Sequence, residues 1–592
     1  MAKSQRTPIE KSDSELANIR HSLAHLLAAA VLELWPDAKH TIGPVIDNGF
    51  YYDFEFSKPI SDKDLPKIEA HMRKILPTWS GFERRELSPA DAKREFPDNS
   101  YKQELIEELT GKGETISFYK SGHFWDLCRG GHVEKMGAVD PAAFKLVRVA
   151  GAYWRGDEKR QQLTRIYGVA FKSKTELEDY LARMAEAAKR DHKILGRELD
   201  LFTFSELVGS GLPLWTPKGT LVRNLLDEFV WELRQVRGYE RVEIPHITKK
   251  DLFVRSGHWE KFQDELFKIT TREGHFFAMK PMNCPHHTQI FARRAWSYRD
   301  LPQRYESTTM CYRDEQSGEL SGLSRARSFT QDDAHVFCRP EQTKAEFVKI
   351  WDIVEQFYGV FGFTLQVRLS LHDPAHLEKY LGDPKRWSDS EAMLRQIVKE
   401  RGVDAVEAIG EAAFYGPKVD FMAQDSLGRE WQVATIQIDH NMPERFGLFA
   451  TDEHGQPEQV VMVHAAIMGS IERFLSILIE HFAGAFPLWL SPVQIQLIPV
   501  TSHHEAAVEK LRQELSDDGL RVSVDDANET VGNKIRKASH LKIPYLLVIG
   551  DKELDGPKLI VKVRGEKDTV EIAKNAFVKK TQKLIADRSL EL

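Results

Sequence analysis

The stretch from 172 to 202, KSKTELEDYLARMAEAAKRDHKILGRELDLF, is charged, helical in its spacing, and flanked by two long blocks of mixed pattern. A helix of this kind reads as a connector, so the chain is expected to fold as separate domains rather than around one core. The same pattern also suits a surface helix inside one domain. With 592 residues, several domains are expected. Upstream, SELANIRHSLAHLLAAAVLELW has helical apolar spacing and stops at Pro36. TIGPVIDNGFYYDFEF then turns at Asp47-Asn48-Gly49 and reads as a hairpin. Downstream, 197–488 is the largest block, alternating helical segments with strand-like ones such as GREWQVATIQI. From 489 the strands SPVQIQLIPV, RVSVDDA, YLLVIGD and LIVKV alternate with helices, which implies a small, largely parallel α/β domain.

Composition narrows the class. The chain is 42% apolar and 29% charged, enough for an ordinary core in every domain. No apolar run reaches the ~18 residues of a spanning helix, and the opening MAKSQRTPIEKSDSE lacks the apolar centre of a secretory signal. A cytoplasmic protein without a membrane partner is expected. Cys128, Cys284, Cys311 and Cys338 are too few and too scattered for a disulfide framework. In a reducing compartment they are buried, metal-bound or catalytic. The net charge of −7 argues against a purely electrostatic nucleic-acid binder but allows basic patches on an acidic body.

Several stretches carry chemistry. In MCYRDEQSGELSGLSRARSFTQDDAH, Arg313, Arg325 and Arg327 lie close to Glu315, Asp332 and Asp333. A turn-rich middle between β-like flanks makes a hairpin loop able to wrap a polyphosphate, although charged surface hairpins share this composition. In VMVHAAIMGSIERFLSILIE a Gly-Ser pair opens an apolar helix with Glu472-Arg473 in its first turn. An arginine so surrounded is expected to be buried and to need an anionic partner, either a ligand or a structural glutamate. KPMNCPHH places Cys284 beside His286 and His287. His21 and His25 stand four apart on one helical face, and DLCRGGH holds Cys128 and His132. By spacing alone, that quartet reads as a zinc site.

The Arg-x-Glu at 313–315 with its loop and strand, and Gly-Ser-x-Glu-Arg on a helix, resemble motifs 2 and 3 of class II aminoacyl-tRNA synthetases. GTLVRNLLDEFVWELRQVRGYERVEIP resembles motif 1, a long helix followed by a strand ending in proline, here Pro245. KPMNCPHH, RSFTQDDAHVFC, AFYGPKVDF and HAAIMGSIERF are similar to phrases of the threonyl-tRNA synthetase family, in family order. The likeness runs from about residue 17 to the C-terminus. It implies an α+β multidomain chain: a tail (1–16), an α+β editing domain (17–170), a linker helix (171–196), a class II catalytic domain built on an antiparallel sheet (197–488) and an α/β anticodon-binding domain (489–592). It further implies a homodimer through motif 1, with isologous contacts.

What the resemblance implies for single residues follows position by position. Cys284, His335 and His464 would hold one catalytic Zn²⁺, with an open position suited to a working metal, while His286 and His287 would be structural or support the ligands. Such an ion, ligating both the amine and the hydroxyl of L-threonine, rejects valine, which an apolar pocket separates by only ~10²-fold. Asp333 would hold the substrate amine or hydroxyl, with Gln331, Tyr415 and Gln437 lining the pocket. Arg313 would grip the substrate carboxylate and the α-phosphate, while Glu315, Arg325, Phe329, Gln432 and Arg473 frame ATP, which arrives with Mg²⁺. His258 would assist transfer to tRNA(Thr). Serine fills the same metal positions, so a second sieve is expected. His21, His25, Lys102, Asp126, Cys128 and His132 match the serine-editing site, which hydrolyses Ser-tRNA without requiring a metal; a similar quartet in alanyl enzymes binds one. Glu553, Lys562 and Arg564, with Lys534 and Arg536, would contact the tRNA in the C-terminal domain.

The chain departs from the family pattern at Ala465, usually arginine, at Val433-Ala434, usually Cys-Gly, at His440, usually aromatic, and at Lys562, often arginine. The ubiquitin-like domain that commonly precedes the editing domain is expected to be missing. Two other readings remain open: a seryl or prolyl enzyme of the same class, against which the zinc residues argue, and a non-charging RNA-binding paralogue, against which Arg313 and Arg473 argue. A resistance-type duplicate altered near Ala465 is also open.

Overall fold

The computed structural model describes residues 11–157 and 159–592, and the chain divides into two compact units, 1–185 and 186–592. The first ten residues of the expected tail lie outside the described residues.

In the first unit, helix α1 (Lys11–Leu34) buries Ile19, Leu23, Leu26, Leu27 and Ala30, an i, i+4, i+7 pattern that gives one apolar face. Each large side chain so buried contributes roughly 1.5–3 kcal/mol. That face packs on strand β1 (Gly49–Glu55). The expected hairpin forms, with Val45 opposite Phe50 and Ile46 opposite Gly49, and Asn48 taking a left-handed φ of 61° in its turn. Helix α2 (Ser100–Gly111) starts at Asn99, whose side chain accepts from Lys102 N. A separate small sheet contains β2 (Phe124–Leu127). Strands β3 (Phe144–Tyr153) and β4 (Gln162–Ala170) complete the main sheet, β4 lying between β3 and β1. The expected connector is two helices, α3 (Lys174–Lys189) and α4 (His192–Glu198).

The second unit is organised by the motif 1 helix and one large sheet. Helix α5 (Pro217–Gln235) begins with Thr216 accepting from Gly219 N and a proline at the first helical position, and it buries Val222, Leu226, Phe229 and Val230. The strand after it is only Glu240–Arg241 (β5). Helix α6 (Cys284–Phe291) follows. The sheet strands are β6 (Gln303–Tyr312), β7 (Ser328–Cys338), β8 (Thr364–Leu371), β9 (Ala405–Ile409), β10 (Lys418–Gln424), β11 (Glu430–Asp439) and β12 (Val461–Ser470). Their order is β5-β6-β7-β12-β11-β10-β8-β9. The central six pair antiparallel and the two edge strands pair parallel. Helix α7 (Ile471–His481) starts at Ser470, whose hydroxyl accepts from Arg473 N.

The C-terminal sheet holds β13 (Ile495–Pro499), β14 (Val522–Val524), β15 (Tyr545–Ile549), β16 (Lys558–Val563) and β17 (Thr569–Ala573), in the order β14-β13-β15-β16-β17. The expected parallel pairing holds for β14, β13 and β15, whereas β16 and β17 run antiparallel. The reason is local: β15 to β16 is a short connection, and only a crossover helix permits a parallel return. No helix among the described residues is long and apolar enough to cross a membrane.

Candidate functional site

Register assembles the larger site. His335 on β7 lies directly opposite His464 on β12, and His464 lies opposite Gln437 on β11. Directly opposed residues share a face of the sheet, so three neighbouring strands present these side chains together. Cys284, in the first turn of α6, meets the two imidazoles, and one donor atom from each residue lies within 4.8 Å of the others. All three residues are buried.

The hydrogen bonds fix which nitrogens are free. His464 Nε2 lies 3.1 Å from Asp439 Oδ2 and donates to it, leaving Nδ1. His335 Nδ1 lies 2.8 Å from His287 Nδ1, and His335 Nε2 is buried with no hydrogen-bond partner. A sulfur and two imidazole nitrogens, one of them orphaned, fit Zn²⁺ with an open position. Burial pushes the Cys284 thiol up and His335 down, so the cluster favours uncharged groups until a cation enters. His287, expected beside Cys284 as a structural or supporting residue, bonds His335, and Asp439, which the sequence reading did not single out, bonds His464.

Around the cluster lies a cavity of about 390 Å³. It is lined by His258, Arg313, Phe329, Gln331, Asp333, Tyr415, Gln432, Gln437 and Arg473 as well as the three metal-type residues. Thus the predicted substrate residues and most of the predicted nucleotide residues share one space. The Tyr415 hydroxyl donates to Gln437 Oε1, and its ring stacks on His464 at 5.1 Å. The Arg313 guanidinium sits 5.1 Å from the Phe329 ring centre, with Nε buried and unpartnered. His258 is 1% exposed, its Nδ1 lies 2.8 Å from Ser256 Oγ, and burial pulls it down to about 3. The imidazole is therefore neutral at physiological pH.

Residues 313–327 form the expected loop of the β6–β7 hairpin. Glu315 and Arg325 are not in the cavity lining; they pair with each other, Nε to Oε2 at 2.8 Å. Arg473 corrects an expectation. It is exposed to the cleft rather than buried, because it sits at the N-terminus of α7 beside the open cavity, and Glu472 is the buried member of the pair. Glu472 accepts from Thr330 N at 2.6 Å. Gln432 is aimed by Asp420, which the sequence reading missed: Oδ1 accepts from Gln432 Nε2 at 2.7 Å and Thr435 Oγ1 at 2.8 Å, while Oδ2 accepts from Ser370 Oγ and Lys418 Nζ. Lys418 and Asp420 both stand in AFYGPKVDF, so that phrase held the signal.

In the first unit the second predicted constellation also assembles. Cys128 Sγ lies 3.3 Å from His132 Nε2 and 3.5 Å from His21 Nε2. His21 Nδ1 donates to Gly131 O at 3.2 Å, which leaves Nε2 as the acceptor. The turn before His132 needs glycine: Gly130 and Gly131 have φ of 100° and 89°, and a Cβ on Gly130 would lie 2.5 Å from the Tyr119 hydroxyl. Burial pushes His25 down to about 3, His132 to about 2 and the Cys128 thiol up to about 11. Lys102 and Asp126 form a buried ion pair at 2.5 Å. Asp126 also accepts from Tyr52 at 2.5 Å and lies 3.3 Å from His40, two residues the sequence reading did not pick. Burial would raise Asp126, but Lys102 and then His40 hold it below the usual carboxylate range.

The three C-terminal residues do not share a hydrogen bond or ion pair among the described residues. Glu553 accepts from Gly550 N at 3.0 Å, Lys562 is half-buried on β16, and Arg564 donates to the carbonyls of Lys542, Ala485 and Phe486. Those carbonyls occupy the Arg564 fork.

Residues 267–482 match the family described as "tRNA synthetase class II core domain (G, H, P, S and T)". Residues 494–584 match "Anticodon binding domain", and 116–167 match "Threonyl and Alanyl tRNA synthetase second additional domain". A threonine–tRNA ligase of Rubrobacter xylanophilus is 48% identical over 574 residues, 96% of this chain and 89% of that one. One from Gloeobacter violaceus is 46% identical over 98% of this chain and 94% of its own length. Among solved structures, the RNA binding domain of threonyl-tRNA synthetase from Cryptosporidium parvum is similar, with a TM-score of 0.63 and 35% identity, covering 67% of this chain and 98% of that one.

Proposed function

The chain belongs to the threonine–tRNA ligase family, and on that premise we propose how its residues divide the work. The enzyme activates L-threonine with ATP to the adenylate, transfers threonine to tRNA(Thr), and carries an editing domain for mischarged Ser-tRNA(Thr). Cys284, His335 and His464 hold one Zn²⁺ per chain. When bound, the ion supplies a Lewis acid that reads the amine and hydroxyl of threonine together. Asp333 and Gln437 face the same substrate atoms, and the Tyr415 hydroxyl fixes the amide of Gln437. Arg313 neutralises the carboxylate and the α-phosphate charge as it develops, Phe329 offers a ring to the adenine, and Gln432, held by Asp420, and Arg473 grip the nucleotide with its Mg²⁺. The neutral His258 imidazole lines the same cavity and orients the ribose hydroxyl during transfer.

In the editing domain, the acceptor nitrogen of His21 takes a proton from the water that attacks the seryl ester carbonyl and passes it to the ribose oxygen as the ester bond breaks, and the Lys102–Asp126 pair fixes charge nearby. We place the enzyme in the cytoplasm as a homodimer formed through the motif 1 region, where Val236 is 81% exposed. The reading rests on one observation above all: three remote donor atoms lie within 4.8 Å of each other in the cavity that also holds Arg313 and Asp333. Zinc analysis and threonine-dependent pyrophosphate exchange on Cys284→Ala test it. Loss of the metal and of exchange is expected; a variant that exchanges normally contradicts it.

A further inference from the structure

The connector helix reaches both ATP motifs through one side chain. His192 opens α4, with Asp191 as its cap accepting from Lys193 N at 2.8 Å. The imidazole is 4% exposed. Its Nδ1 lies 2.6 Å from Glu480 Oε1, and its backbone N–H donates to the same oxygen at 3.1 Å. Glu480 stands at the end of α7, two turns beyond Arg473, and its other oxygen accepts from Arg429 at 2.6 Å. On the opposite side, His192 Nε2 accepts the backbone N–H of Leu323 at 3.1 Å. Leu323 lies in the motif 2 loop, between Glu315 and Arg325. The approach is so close that a Cβ on Gly322, whose φ is 54°, would stand 2.4 Å from His192 Nε2. The site qualifies by donor spacing as a metal cluster with Asp191 and Glu480. However, both ring nitrogens are already engaged, one as donor and one as acceptor, which leaves no lone pair for an ion.

We propose that His192 is a positioning residue for ATP: it pins the motif 2 loop to the motif 3 helix, so that the nucleotide-binding groups of both are held at one separation. The single tautomer does this. Nδ1–H must donate to Glu480, and only then does Nε2 carry the lone pair that the Leu323 amide needs. A broken contact frees the part of the loop that carries Glu315 and Arg325, whereas Arg313, whose backbone N–H donates to Arg327 O at 2.9 Å, stays in place with Asp333, the zinc residues and the threonine pocket.

The inference rests on the ATP placement proposed above, and three variants of the full enzyme separate the two. His192→Asn keeps a donor toward Glu480 but is too short to reach Leu323. His192→Gln carries an amide oxygen at about the reach of Nε2. Arg473→Ala tests the ATP placement itself. In pyrophosphate exchange, His192→Asn is expected to raise the KM for ATP about tenfold, the cost of one buried hydrogen bond. The KM for threonine and the zinc content stay at the parent value, and His192→Gln recovers most of the loss. The proposal is overturned if His192→Asn leaves the KM for ATP within about twofold of the parent, if the KM for ATP and for threonine rise together, or if Gln does no better than Asn. If Arg473→Ala also left ATP binding intact, the ATP placement would fall as well.

Discussion

His287 and Asp439 do for the two metal-facing imidazoles what neither position advertises in the sequence. Each takes the nitrogen that points away from the cluster, His287 from His335 and Asp439 from His464, and so decides which lone pair faces the metal. His287→Ala is therefore expected to weaken zinc binding about 10–100-fold, measured by competition with a chromophoric chelator. Unchanged affinity would mean that His287 only fills space. KPMNCPHH, read with the resemblance, gave the histidine pair a structural or supporting role beside Cys284 without naming the imidazole that His287 holds, and Asp439 lay beside the noted His440 without being picked. The three proposed ligands were legible only through family resemblance, because no short spacing joins Cys284, His335 and His464. What joins them is strand order, which pairing across the sheet decides and local pattern does not.

Strand β7 shows how an element aims a site. Its pairing with β12 shifts register between Gln331 and Asp333, a bulge at the cavity wall. The shift strands the amides of Ile467 and Met468, and the Asp332 carboxylate accepts both, at 2.9 and 3.1 Å. Arg234, 1% exposed on α5, donates to Asp332 O at 3.1 Å and lies 3.8 Å from Glu306. Arg234→Met leaves the buried Asp332 carboxylate without its cation, 3.4 Å away, while Glu306 keeps Arg241 at 3.2 Å, and is expected to cost about 3–5 kcal/mol in denaturant unfolding of the second unit. A loss below about 1 kcal/mol would show that the carboxylate is satisfied without it. The hairpin and its turn-rich loop could be read from alternation and from Gly318 and Gly322, and the motif 1 helix from its period. The bulge could not, since an extra residue in one strand is set by its partner. The same limit explains Arg473: helical spacing gave the right face, but only the cavity beside it shows that the side chain stays open to solvent.

At the scale of the whole molecule, two sieves are expected to act in sequence, and they respond to different changes. His21→Ala should accumulate Ser-tRNA(Thr) while leaving threonine activation at the parent rate; a variant that still clears Ser-tRNA(Thr) would remove His21 from editing. Acid should also reach the first unit early. His25 is held neutral in the fold, with its value lowered to about 3 by burial, and would titrate near 6.5 when unfolded. Its contribution is complete above pH 6.5 and is lost as the pH falls toward 3, about 2 kcal/mol by pH 5. Hydrogen-exchange protection of α1 should therefore fall between pH 7 and pH 5, and protection that holds constant would contradict this. The most direct test of the central claim compares threonine with valine on the zinc-loaded enzyme in pyrophosphate exchange. A metal that reads amine and hydroxyl together predicts a ratio of kcat/KM of about 10⁴ or more, whereas a ratio near 10², all that shape alone supplies, would contradict it.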